Sequence, residues 1–140
     1  MKIIYTDGIF DIFHRGHLEY IKTCKNLYKD VYLIVGIVND QDATNYKRKP
    51  IFTEEDRYSI IESLIYVDKI IKNAPLIVTP EFIKDNNIDY VVHSFSNHVD
   101  SSNQNLFYSQ IMDKFIEIGY YSGISTTDII SRIKNNSFHC

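Results

Sequence analysis

Two stretches of this chain read as strands buried on both faces. Lys2–Thr6 is β-branched and aromatic, and Val31–Val38 is almost continuously apolar. A strand with one wet face alternates polar and apolar residues, so near-continuous runs point to a parallel sheet covered by helices on both sides. Between the runs, His17 to Tyr28 carries Leu18, Ile21, Cys24, Leu27 and Tyr28 at helical spacing, an apolar stripe able to cross the sheet. The first third therefore reads as a βαβ unit whose first turn lies between Gly8 and Gly16.

The alternation continues along the chain. Thr53 caps an expected helix to Val67, opened by Glu54-Glu55-Asp56, acids suited to the positive helix end. Asp68–Ile71 and Ile88–His93 read as strands, with a helix over Pro80–Asn86, capped by Thr79, between them. The polar run Ser94–Asn105 reads as a loop, Asn105–Lys114 as a helix, Phe115–Tyr121 as a strand and Thr126–Ile133 as a helix. This order predicts an α/β fold, a Rossmann-like three-layer sandwich around a mostly parallel five-stranded sheet. A chain of 140 residues is the size of one domain, expected over 1–134 with a short C-terminal tail at 135–140.

A net charge of −3 lacks the concentrated basic face of a nucleic-acid binder. Cys24 and Cys140 have no metal-ligand spacing between them, which fits a reducing cytoplasm. Lys2 is followed by a short apolar run and Asp7, unlike a secretory leader, and Val31–Val38 is too short to span a bilayer. A cytoplasmic protein with no integral membrane segment is expected.

The segment Gly8-Ile9-Phe10-Asp11-Ile12-Phe13-His14-Arg15-Gly16-His17 falls at the carboxyl end of the first strand, where open α/β sheets place their ligands. Imidazoles at such a turn can meet phosphate oxygens as charge builds on them. Equally, His14 can be a helix cap and His17 a packed side chain. Gly8 and Gly16 leave room for close backbone approach, and Asp11 reads as a loop-bracing acceptor rather than a base. Ser125-Thr126-Thr127-Asp128 reads as a helix cap whose N–H groups can also hold an anion. Lys47-Arg48-Lys49 is a basic run before Pro50, and Asp40 either caps a turn or contacts a nucleotide.

The Gly8–His17 pattern, together with Gly123-Ile124-Ser125-Thr126-Thr127-Asp128-Ile129-Ile130, resembles the two signatures of the cytidylyltransferase-like nucleotidyltransferases. The resemblance runs from Lys2 to Arg132 and is strongest to the phosphocholine and phosphoethanolamine cytidylyltransferases. It implies attack of a small phosphorylated alcohol on the α-phosphate of CTP, releasing pyrophosphate and a CDP-alcohol. His14, His17 and Lys47 would be catalytic. Thr6, Asp7, Gly8, Ile9, Phe10, Gly16, Ser125 and Thr126 would bind the nucleotide. Mg2+ would arrive with CTP, no side chains would form a metal site, and the protein would be a homodimer. Arg57 matches a family arginine with a partly structural role.

Several positions depart from that pattern. Tyr120-Tyr121 replaces Arg-Thr, Ile65 replaces another arginine, Leu76 stands where choline members carry an aromatic residue, and Ser94 replaces an acid. A quaternary ammonium needs aromatic faces or acids around it; Tyr108, Tyr120, Tyr121 and Phe95 are the residues that can rebuild such a site. A nucleotide-binding relative with impaired turnover, and a transferase with a different acceptor, are the alternatives.

Overall fold

The computed structural model describes residues 1–136. Its centre is a sheet of five strands, β1 (Lys2–Gly8), β2 (Val31–Ile37), β3 (Lys69–Lys72), β4 (Tyr90–His93) and β5 (Phe115–Glu117). Their order is β3-β2-β1-β4-β5, and every ladder is parallel. Residues 137–140, including Cys140 and most of the expected tail, lie outside the described residues.

Side-chain alternation along the inner strands builds two cores. Ile4, Leu33, Val35, Ile37 and Val92 face one way, against α1 (Arg15–Lys25) and α3 (Glu54–Glu62). Tyr5, Ile34 and Val91 face the other, against α4 (Pro80–Asp85) and α5 (His98–Tyr108). Each strand supplies both cores because successive residues point to opposite faces. Gly36 has no Cβ for a reason: one placed there would run into the Tyr5 hydroxyl and the Ala74 side chain.

Strand order reverses at β1. The chain first winds outward through β2 and β3, then returns to place β4 on the other side of β1, which opens a crevice at the carboxyl ends of β1 and β4. Asp7 and Gly8 end one strand and His93 the other.

Local boundaries differ from expectation in instructive ways. Helix α1 starts at Arg15 because His14 is its cap, and α3 stops at Glu62. The short helix α2 (Asp40–Tyr46) was not expected; only Ala43 is buried in it, so it carries no apolar stripe. The expected loop Ser94–Asn105 is mostly helix α5, capped by Asn97, whose side chain accepts the Asp100 N–H at 2.9 Å. A six-residue 3-10 turn (Ser109–Lys114) follows it. β5 ends at Glu117, paired with the last residue of β4, which leaves Tyr120 and Tyr121 in a connection leading to α6 (Thr126–Asn135).

Candidate active site

The loop after β1 is held against its own backbone preferences. Phe10 and Ile12 have φ of 57° and 45°, left-handed values that cost a non-glycine residue about 1–3 kcal/mol each. Burial of the Phe10 ring, 5% exposed, returns about 1.5–3 kcal/mol, and hydrogen bonds supply the rest. The Asp11 carboxylate accepts the N–H groups of Ile12 (3.1 Å), Ile51 (2.8 Å) and Phe52 (2.8 Å). Arg57, with no exposed surface, donates to the carbonyls of Ile9 (2.8 Å), Val38 (2.7 Å) and Phe52 (3.2 Å) and to Asp40 (2.7 Å). Asp11 and Arg57 thus tie the loops after β1 and β2 and the start of α3 into one frame, and Asp40 is the partner of Arg57.

His14 and His17 sit on that frame. His14 Nδ1 accepts the Gly16 N–H at 2.9 Å, and His17 Nδ1 accepts the His14 N–H at 3.2 Å, a capping box built from two imidazoles. A nitrogen that accepts carries no proton, so each neutral ring has its proton on Nε2. His14 Nε2 lies 3.3 Å from the Thr126 hydroxyl, which donates to the Asp11 carbonyl at 3.1 Å. The hydroxyl therefore accepts from His14. The rings stack at 3.9 Å. Burial, then the neighbouring His14, then Lys47, push His17 down to about 3, and burial lowers His14 as well. Capping thus uses only Nδ1 of each ring; Nε2–H of His17 is left facing the cleft, and that of His14 is given to Thr126.

Gly16 is required by close packing: a Cβ there would stand 2.7 Å from the His14 ring and 2.9 Å from the Ile124 carbonyl. Its missing Cβ thus serves the cap and the contact with the α6 entry, and its backbone lines the cleft.

At the other end of the crevice is a buried polar network. The Tyr108 hydroxyl donates to Asp7 Oδ1 at 2.6 Å and lies 3.1 Å from His93 Nδ1. Having given its proton to Asp7, that hydroxyl accepts from His93, which makes His93 the Nδ1–H tautomer. Burial pushes Asp7 up to about 7 against the downward pull of the Tyr108 bond. Burial likewise pushes His93 down to about 4, against Asp100 and Gln104. Asp100 accepts from Gln104 (2.6 Å) and the Ser96 N–H (2.9 Å). Burial would raise the Asp100 carboxyl, but these donors and Lys47 hold it below its ordinary value.

A cleft of about 430 Å³ joins the two ends. Asp7, Gly8, Ile9, Phe10, His14, Gly16, His17, Lys47, Ser125 and Thr126 all line it. Thr6 does not: it is fully buried, its hydroxyl bonded to that of Tyr20, so it supports the network from behind. Ser125 caps α6 by accepting the Asp128 N–H at 3.1 Å. Leu76, Ser94, Tyr108, Tyr120 and Tyr121 line the cleft, whereas Phe95 packs against His93 and Tyr108. Ile65 is 87% exposed and outside the lining.

The profile of the Cytidylyltransferase-like family matches residues 5–132, which contain both the histidine cap and the α6 entry. The chain belongs to the cytidylyltransferase-like family. It is 39% identical over 132 residues to mouse choline-phosphate cytidylyltransferase A, covering 93% of this chain and 36% of that protein. It is 34% identical over 132 residues to a probable ethanolamine-phosphate cytidylyltransferase of Encephalitozoon cuniculi, covering 93% of this chain and 40% of that one. This cytidylyltransferase-like chain thus spans well under half the length of these curated relatives. Among solved structures, a lipopolysaccharide core biosynthesis protein from Thermoplasma volcanium superposes with a TM-score of 0.69 at 27% identity, over 87% of this chain and 99% of that one.

Sequence reading missed several residues that line the cleft of this family member, among them Tyr46, Arg48, His93, Asp100 and Gln104. His93 had a signal, its place at the end of a strand beside the topological switch. Arg48 had one too, the basic run Lys47-Arg48-Lys49; Tyr46, Asp100 and Gln104 had none, since α2 and α5 lack an apolar stripe to announce them.

Proposed function

We propose that the protein transfers a cytidylyl group from CTP to a small phosphorylated amino alcohol, phosphocholine or phosphoethanolamine, giving a CDP-alcohol and pyrophosphate. The observation that carries this reading is the polarity of the cleft. Lys47, Arg48 and the α6 N-terminus line the same cleft as the Asp100 carboxylate, so one substrate's phosphates and the other's ammonium each meet complementary charge.

The phosphate oxygen of the acceptor attacks the α-phosphorus of CTP, and the bond from that phosphorus to the bridging oxygen breaks in line, releasing pyrophosphate. Both reactants are already ionised, so no general base is needed; Asp11, fully engaged by backbone N–H groups, has no such task. Nε2–H of His17, and that of His14 in exchange for its bond to the Thr126 hydroxyl, would donate to the α-phosphate oxygens as charge gathers there. Both rings are held by their Nδ1 bonds, so little reorganisation beyond that exchange is needed to stabilise such charge. An arriving phosphate also raises the low affinity of His17 for a proton, strengthening the interaction.

Among the described residues no cluster of three or more His, Cys, Asp or Glu is arranged to hold a metal ion. Mg2+ would arrive on the triphosphate oxygens, its usual mode with nucleotides, and would neutralise phosphate charge. No helix among the described residues is long and apolar enough to cross a membrane. The homodimer and the cytoplasmic location belong to the same proposal, the former to be checked by light scattering.

Incubation of the protein with CTP, Mg2+ and either phosphoamine, followed by phosphorus NMR, tests the reading. Paired diester resonances of a CDP-alcohol and a pyrophosphate signal are expected. CTP that stays intact with both acceptors, in protein shown to be folded, would contradict it.

A further inference from the structure

Arg48 stands apart from the other arginines. Arg15, Arg57 and Arg132 each pair with a carboxylate, Glu19, Asp40 and Asp128 respectively. Arg48 is half-buried, lines the cleft and has no carboxylate or hydrogen-bonded side-chain partner among the described residues. A partly desolvated guanidinium without an anion is costly to hold, and a bound anion removes that cost.

Its backbone is fixed from both sides. The N–H groups of Lys47 and Arg48 both donate to the Ala43 carbonyl, at 2.9 and 3.1 Å. Past buried Pro50, Ile51 and Phe52 are clamped to Asp11. The basic segment is thus a short bridge anchored at α2 and at the strained loop that carries His14, and little ordering remains to be done when a ligand binds.

The two permanent cations of the lining have different places. Lys47 lines the cleft and also a second hollow with Tyr46, Asp100 and Asn103, which puts it toward the acidic end. Arg48 lines the cleft but not that hollow. Near neutral pH His14 and His17 carry no charge to offset a triphosphate, and Lys47 stands toward the acidic end. Arg48 is the remaining cation for the far phosphates.

We propose that Arg48 grips the β- and γ-phosphates of CTP, and hence the departing pyrophosphate, together with the N-terminus of α6 at Ser125 and Thr126. This rests on the reading of the cleft as a CTP site. The planar fork of arginine suits two phosphate oxygens at once, which a lysine cannot match.

Calorimetric titration of wild-type protein, Arg48→Ala and Arg48→Lys with CTP and with CMP, in Mg2+, separates the possibilities, because CMP lacks the phosphates assigned to Arg48. Loss of CTP affinity by about ten- to a hundredfold in Arg48→Ala is expected from removal of a charged hydrogen-bonding group. Arg48→Lys should fall between the two, and CMP affinity should stay the same in all three. Undiminished CTP binding in Arg48→Ala, or an equal loss for CMP and CTP, would overturn the assignment. Wild-type protein that binds no CTP would overturn the reading of the cleft itself, a result distinct from either. Thermal melting in parallel confirms that each variant is folded, and Arg48→Lys alone decides the matter should Arg48→Ala fail to fold.

Discussion

His17 Nδ1 accepts the backbone N–H of His14 at 3.2 Å, so the ring that faces the cleft also closes the helix cap beneath its neighbour. Structure and chemistry share one side chain through its two nitrogens, and substitutions can separate them.

His14→Asn keeps a side chain that caps helices well but removes the Nε2–H donor. Stability by urea denaturation should stay close to that of wild type, while turnover falls by at least about a hundredfold, as for the loss of a donor to developing charge. His14→Ala should lose both turnover and about 1 kcal/mol of stability. Near-normal turnover in folded His14→Asn would remove His14 from the chemistry.

Arg57 should be intolerant even of lysine. A single ammonium cannot replace a fork that holds the carbonyls of Ile9, Val38 and Phe52 together with Asp40. Arg57→Lys is expected to cost about 2 kcal/mol or more, since each buried acceptor left unpaired costs about 1–3 kcal/mol. A urea midpoint equal to that of wild type would show the frame to be held elsewhere.

Stability should depend on pH through Asp7. Its carboxyl rises from 3.8 to about 7 on folding, so the folded state holds a proton that the unfolded chain releases. That contribution is complete below pH 3.8 and is lost as pH rises through about 7. His93 works the other way, falling from 6.5 to about 4, and adds stability as pH rises between those values. Asp7→Asn removes the first effect and keeps the second, so its stability should climb more steeply than that of wild type from pH 4 to 6.5. Parallel profiles for the two proteins in chemical denaturation would contradict the buried state of Asp7.

Tyr120, 45% exposed and lining the cleft, stands where the family pattern has arginine. If Arg48 supplies the missing cation, Tyr120→Arg introduced into Arg48→Ala should recover most of the lost CTP affinity in calorimetry. No recovery would mean that the two positions do not reach the same phosphates.

The parallel sheet was legible because strands buried on both faces leave a composition that few other arrangements share, and Val31–Val38 shows it without ambiguity. Caps were legible as well: Thr53, Thr79 and Ser125 each accept an N–H where expected. Asp11 was readable as a brace, though its targets at Ile51 and Phe52, some forty positions away, were not. Helix α2 and the part of α5 before Asn105 escaped notice because each helix buries few residues and no apolar periodicity marks them. The left-handed backbone at Phe10 and Ile12 had no glycine to announce it. Tyr108 was legible only as a candidate cation contact; its bond to Asp7 at 2.6 Å, across 101 positions, was not.

The most direct measurement of the central claim is pyrophosphate release from CTP and Mg2+, with phosphocholine, phosphoethanolamine and glycerol 3-phosphate offered separately to wild-type protein and to His17→Ala. Release that requires one of the two phosphoamines and falls at least about a hundredfold in His17→Ala is the predicted result. Release unaffected by His17→Ala, or none with any acceptor despite tight CTP binding, would contradict cytidylyl transfer at this cleft.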